Sequence, residues 1–135
     1  MSLFSIFDIA GTGMSAQTLR LNSTASNLAN AETVSGNQAD AYHAHRPVFA
    51  TFRDALDESV AGVRVLGIAQ DPKPAEKIYQ PDHPLADAQG YVYRPTVNVV
   101  EEMADMISAS RSYQNNVEVV NTSKQMLLSL LRLGQ

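Results

Sequence analysis

The sequence predicts a mainly α protein, with long N- and C-terminal helices that pair as a coiled coil and a small β/loop insert between them, α+β overall. Three observations predict this. Apolar and small residues step alternately by three and four positions at both ends of the chain, which is a heptad seam. All six prolines and fourteen of the twenty-four charges fall within residues 37–96. Residues 97–135 hold no proline and a single glycine, Gly134. The 135 residues, one domain's worth of chain, therefore divide into an N-terminal helix within 1–36, a β-rich or loop insert within 37–96 and a C-terminal helix within 97–135.

The first helix is expected over about residues 5–30. Ser5 and Asp8 have the spacing of a capping box. The seam runs Phe4, Phe7, Gly11, Met14, Thr18, Leu21, Ala25, Leu28; it is uneven, large at the ends, small at Gly11 and Ala25 and polar at Thr18. Gly11 and Gly13 each weaken an isolated helix by about 1 kcal/mol relative to Ala. The back of this helix is polar but almost uncharged (Ser15, Gln17, Asn22, Ser23, Thr24, Ser26, Asn27, Asn30). Amides and hydroxyls can be buried against protein once hydrogen-bonded, whereas lone charges cannot.

In the insert, Val48–Phe52, Val63–Ile68, Lys77–Tyr79 and Tyr91–Arg94 read as short strands, punctuated by Gly62, Gly67, Pro72, Pro81, Pro84 and Gly90. Arg53–Ser59 is a charged connector. So few short strands bury little, so the insert is not expected to be robust alone.

The last helix, about 98–133, opens with Asn98 as N-cap and Glu101 at N3. Glu101, Glu102 and Asp105 suit its positive end, and Lys124 and Arg132 its negative end. Gly134 suits the residue just past the helix. Its seam runs Val99, Met103, Met106, Ser110, Tyr113, Val117, Val120, Lys124, Leu127, Leu131. Val100, Ile107, Val119, Leu128 and Leu130 lie off it, so the final third is apolar nearly all round. Such a helix is buried inside something larger. A chain folding its helices over its own small sheet remains the alternative.

Composition narrows the function. Hydrophobic residues make up 44% of the chain and the net charge is −4, which offers nucleic acid no basic footprint and an anionic membrane no polybasic patch. The absence of cysteine removes disulfides, thiolate metal sites and thiol nucleophiles. No run reaches the roughly 20 apolar residues of a spanning helix, and the first residues make a poor secretory signal, with no Lys or Arg before Arg20 and Asp8 breaking the apolar run. His43 and His45 would share a strand face but lack a third ligand. Asp54, Asp57 and Glu58 could mimic an acid pair, though nothing nearby suggests a pocket. Neither a phosphate loop nor a nucleophile elbow is present. No catalytic, cofactor or metal residue is assigned, and no cofactor is expected.

The run Ser23-Thr24-Ala25-Ser26-Asn27-Leu28-Ala29-Asn30-Ala31-Glu32-Thr33 resembles the N-terminal signature of the bacterial flagellar rod and hook proteins. Ile6–Gly11, Pro84–Val92, Asn98–Met103, Ser108–Val119 and the ending Leu133-Gly134-Gln135 extend the resemblance over nearly the whole chain. One departure stands out: Thr33-Val34-Ser35-Gly36 is followed by extra residues before Tyr42, so transfer is weakest over 37–61. The resemblance implies a structural subunit, exported unfolded by the flagellar type III apparatus without a cleavable signal. It implies helical polymerisation in the periplasmic rod, with the terminal helices paired around the export channel. The implied partners are copies of itself, the other proximal rod subunits, the distal rod subunit and the export apparatus, with no nucleic acid and no membrane insertion. The implied assembly residues are Phe4, Phe7, Met14, Leu21, Asn27, Leu28 and Asn30 on the first helix. On the last they are Met103, Met106, Arg111, Tyr113, Val117, Val120, Leu127, Leu128, Leu130 and Leu131. The side-chain amides of Asn27 and Asn30 would fix the exit to the insert, or Asn would cap the helix in the left-handed conformation. A cytoplasmic coiled-coil adaptor or export chaperone is the competing reading; a small hydrolase would need a pocket with a perturbed acid or base.

Overall fold

A computed structural model describes residues 3–53 and 61–133. Helix α1 spans Leu3–Asn30 and helix α2 spans Val99–Leu133. Between them lie a single 3-10 turn at Gln38–Asp40 and strands β1 (His45–Arg53), β2 (Ala61–Gln70), β3 (Glu76–Tyr79) and β4 (Tyr91–Arg94). Each of the four strand segments expected from sequence lies within one of these. β1 pairs with β2, and β3 with β4, as separate two-stranded sheets. The fold is α+β, two long helices with a small β insert.

The caps are instructive. Asn98 caps α2 as expected: its Oδ1 accepts the amides of Val100 at 3.1 Å and Glu101 at 3.3 Å, and its carbonyl accepts the Glu102 amide at 3.0 Å. Ser5 does not cap α1, because the helix already runs from Leu3; Ser5 sits inside the first turns and is buried. The Gly134 cap, and the Asp54, Asp57 and Glu58 carboxylates with most of their connector, lie outside the described residues. So does the side chain of Phe4.

The chain forms two compact units, each drawing on both helices. The first comprises residues 1–21, 47–67 and 107–135. Here the Thr12 hydroxyl donates to the Ile9 carbonyl at 2.9 Å and accepts the Val63 amide at 3.3 Å, tying α1 to β2. Gly62 has no room for a side chain, since a Cβ would sit 2.7 Å from the Phe52 ring. At Gly13 a Cβ would lie 3.0 Å from the Asn116 amide, so α1 and α2 approach closely there.

The second unit comprises residues 22–46 and 68–106. Its β3–β4 hairpin is antiparallel, pairing Glu76 with Arg94, Lys77 with Tyr93, Ile78 with Val92 and Tyr79 with Tyr91. Side chains alternate faces along a strand, so Lys77, Tyr79, Tyr91 and Tyr93 share one face while Val92, wholly buried, points to the other. Lys77 Nζ lies 4.0 Å from the Tyr91 ring centre, a cation–π contact. Gly90 turns the hairpin loop with a positive φ of 83°, a conformation glycine adopts without cost. Ser35, just past α1, exchanges two backbone hydrogen bonds with Tyr93, which stitches the chain leaving α1 onto β4.

Among the described residues the buried apolar ones are Ala10, Ala16, Ala31, Ala41, Ala44, Val92 and Ala109. They are small, apart from one valine. On α2 the buried line is Glu102, Ala109 and Ser123, spaced in whole heptads with half-buried Asn116 between. This line differs from the expected apolar seam. Small side chains allow helix backbones to approach closely, so they occupy the innermost positions and the bulky ones are displaced outward.

Candidate functional site

Two features stand out: an uncovered apolar surface and a buried polar joint.

The apolar surface lies on α2. Val99, Val100, Met103, Ile107, Tyr113, Val119, Met126, Leu128, Leu130 and Leu131 are all exposed, Val100 to 75% and Leu131 to 62%. Met106, Val117, Val120 and Leu127 are half-buried, as are Phe7, Met14, Leu21 and Leu28 on α1. Arg111 is exposed. Within the first unit, two shallow grooves share Thr122 and Met126; one of them is closed on a side by Ile6 of α1. Exposed large apolar side chains in such number on one helix point to an interaction surface.

The joint lies in the second unit. Asn27, 1% exposed, pairs with both backbone groups of His45: its Oδ1 accepts the His45 amide at 2.8 Å and its Nδ2 donates to the His45 carbonyl at 3.0 Å. The same Nδ2 donates to Glu102 Oε2 at 3.0 Å, and the Tyr42 hydroxyl donates to Oδ1 at 2.8 Å. All four hydrogen-bonding positions of the amide are used. Glu102 is 2% exposed. The Arg46 guanidinium lies 3.5 Å from Asp71 and 3.7 Å from both Glu101 and Glu102. Asn27 is thus absent from the apolar surface; its chemistry is internal. Asn30 behaves differently, its Nδ2 donating to the Ser26 carbonyl at 2.8 Å. Among the described residues only Gly90 has a positive φ, so neither Asn forms the left-handed cap.

His43 precedes β1 rather than sharing a strand face with His45. Its Nδ1 lies 3.1 Å from the Asp71 carbonyl, and His45 Nδ1 lies 3.4 Å from the Tyr42 hydroxyl. The described residues contain no group of three or more His, Cys, Asp or Glu placed to hold a metal. The perturbed groups are structural. The Lys73 amide beside Asp71, and the Tyr91 amide beside Asp87, hold those carboxyls below their ordinary value. The hydrogen bond from Arg94 to Glu76, 2.7 Å long, raises the guanidinium's value further. Sequence reading missed Tyr42, Arg46 and Gly36 as organising residues. A Cβ at Gly36 would meet the Leu85 carbonyl at 2.7 Å; these depend on contacts far apart in sequence.

Residues 7–36 match a family model described as flagella basal body rod protein, and residues 88–133 match one described as flagellar basal body rod FlgEFG protein C-terminal. Over its full length the chain is 53% identical to the flagellar basal-body rod protein FlgC of Yersinia enterocolitica and 49% identical to that of Salmonella typhimurium, each also covered in full. The chain belongs to the FlgC family of flagellar basal-body rod proteins. Identity to the Borreliella burgdorferi FlgC is 40%, over 100% of this chain and 99% of that one. As a FlgC family member the chain is a structural subunit of the basal-body rod, and it associates with other rod components. The FlgC family is structural rather than a class of enzymes. Among the described residues no helix is long and apolar enough to cross a membrane.

Proposed function

We propose that this chain polymerises helically in the proximal, periplasmic part of the rod, its terminal helices pairing as a coiled-coil layer around the export channel. In this reading 1–36 and 97–135 build the inner layer and 37–96 the insert outside it. The observation that carries it is the number of bulky apolar residues left exposed on α2 while its buried line consists of Ala, Ser and Glu with half-buried Asn. The pairing is supported by contacts between the helices within each unit. In one unit Gly13 lies close to Asn116, and in the other Asn27 bonds Glu102, so each unit brings the two helices together. A head-to-tail contact that does not close gives a filament. The assembly surface comprises the exposed and half-buried residues named above, led by Met103, Arg111, Tyr113, Leu128, Leu130 and Leu131. The partners are further copies, the other proximal rod subunits and the distal rod subunit, with the export apparatus engaged during secretion.

Mass spectrometry of detergent-extracted hook–basal bodies, set against soluble cytoplasm, tests this. Enrichment in the basal body is expected. Abundant cytoplasmic chain with none in the basal body would overturn it and favour an adaptor or export chaperone.

A further inference from the structure

Asn27 lies within the stretch matched by the flagella basal body rod family model, yet it is almost wholly buried within its own subunit. Its amide acts as a surrogate peptide group, giving His45 the donor and the acceptor that a neighbouring strand would give. It also reaches Glu102, 75 positions away in sequence. One side chain therefore joins the end of α1, the start of β1 and the first turn of α2. We propose that Asn27 is a positioning residue of the rod subunit: with Glu102 it forms an internal clasp whose donor–acceptor polarity fixes where the insert leaves the helices. This rests on the reading of the chain as a polymerising rod subunit only for its consequence in assembly; the clasp itself is a property of the second unit.

The polarity is fixed by the partners. The His45 amide and the Tyr42 hydroxyl both donate, so they need the amide oxygen. The His45 carbonyl and the Glu102 carboxylate both accept, so they need the amide nitrogen. Arg46, at 3.7 Å, is the cation facing Glu102, shared with Glu101 and with Asp71. An acid at position 27 keeps the first pair of bonds. It loses the second pair and sets two carboxylates against each other in a buried place, which strongly disfavours the ionised pair. An amide at position 102 reverses that, because its nitrogen can donate to the acid at 27.

The test compares wild type, Asn27→Asp, Glu102→Gln and the double variant. One readout is the exchange protection of the His45 amide in the purified full-length chain; the other is the amount of chain recovered in basal bodies. Asn27→Asp is expected to lower both about tenfold. Glu102→Gln is expected to stay within about threefold of wild type, since its amide oxygen still accepts from Asn27. The double variant is expected to recover most of the loss, short of the bond to the His45 carbonyl. Rescue is the decisive arm, because an outward-facing contact at Asn27 would not respond to a buried residue at 102, and an Asn27→Asp chain that fails to fold is still answered by the double. Wild-type behaviour of Asn27→Asp, or a double variant no better than Asn27→Asp, would overturn the clasp. Rescue of His45 protection with wild-type chain missing from basal bodies would uphold the clasp and overturn the rod reading.

Discussion

At the scale of single residues, carboxylates and amides that bind backbone groups organise the turns of the insert. Asp87 Oδ1 accepts the amides of Gln89 at 2.8 Å and Tyr91 at 2.9 Å, closing the loop that Gly90 turns. Those bonds favour the ionised form and hold its value low. A carboxyl depressed on folding contributes stability above its unfolded value and loses it as pH falls through the folded one. Asp71, depressed chiefly by the Lys73 amide, follows the same sign. Acid titration from pH 7 is therefore expected to leave both turns intact until pH falls below about 4, then to loosen them, as followed by amide chemical shifts of Lys73, Gln89 and Tyr91. Asp87→Asn keeps an acceptor but does not titrate, so the Gln89 and Tyr91 shifts should lose their acid transition while Lys73 retains it. The Asn98 cap gives a second expectation. Removing its side chain leaves the Val100 and Glu101 amides without that acceptor, so Asn98→Ala should lower stability by about 1 kcal/mol in denaturant unfolding.

At the scale of elements, the sequence made the helices and strands legible and left their packing obscure. Heptad stepping and the confinement of proline to 37–96 locate α1 and α2 to within two residues at each described end, because a long periodic pattern is a strong local signal. The four strands were readable for the same reason, being short β-branched or aromatic runs between turn residues. The seam itself was not. Met103, Tyr113 and Leu131 read as the inner edge of a coiled coil, yet they are exposed, while Glu102, Ala109 and Ser123 are buried. Hydrophobic periodicity locates apolar faces but does not say whether a face meets its own chain or another one. The Asn27 joint was partly readable, as amides fixing the exit to the insert; Tyr42 and Arg46 carry no local signal, being brought in by the fold. The exposed face carries an expectation of its own. Leu131→Asp, and Leu127→Asp beside it, place a charge on the proposed assembly surface, so both should abolish swimming in soft agar while the protein is still made and exported. Normal swimming by both variants would remove this face from the assembly surface.

At the scale of the whole molecule, the described residues bury little apolar bulk while many large apolar side chains of α2 are exposed. Among the described residues the buried apolar side chains are six alanines and one valine. Alanine burial contributes little, because the stabilisation follows the apolar area removed from water. Helices in proteins gain most of their stability from packing an amphipathic face, not from propensity. The helices should therefore be only weakly held in the free chain and become fully ordered when neighbours cover the exposed side chains, with the ordering entropy offset by new burial. Amide exchange on dilute purified chain is expected to show low protection over residues 5–30 and 98–133, rising by orders of magnitude for the same amides in extracted rods. Low protection is expected to extend least to the amides around Asn27 and Glu102, where the joint supplies hydrogen bonds that need no second subunit. Full protection of both helices in a dilute monomer would mean that the chain stabilises them by itself, and the exposed apolar side chains would then need another explanation than assembly.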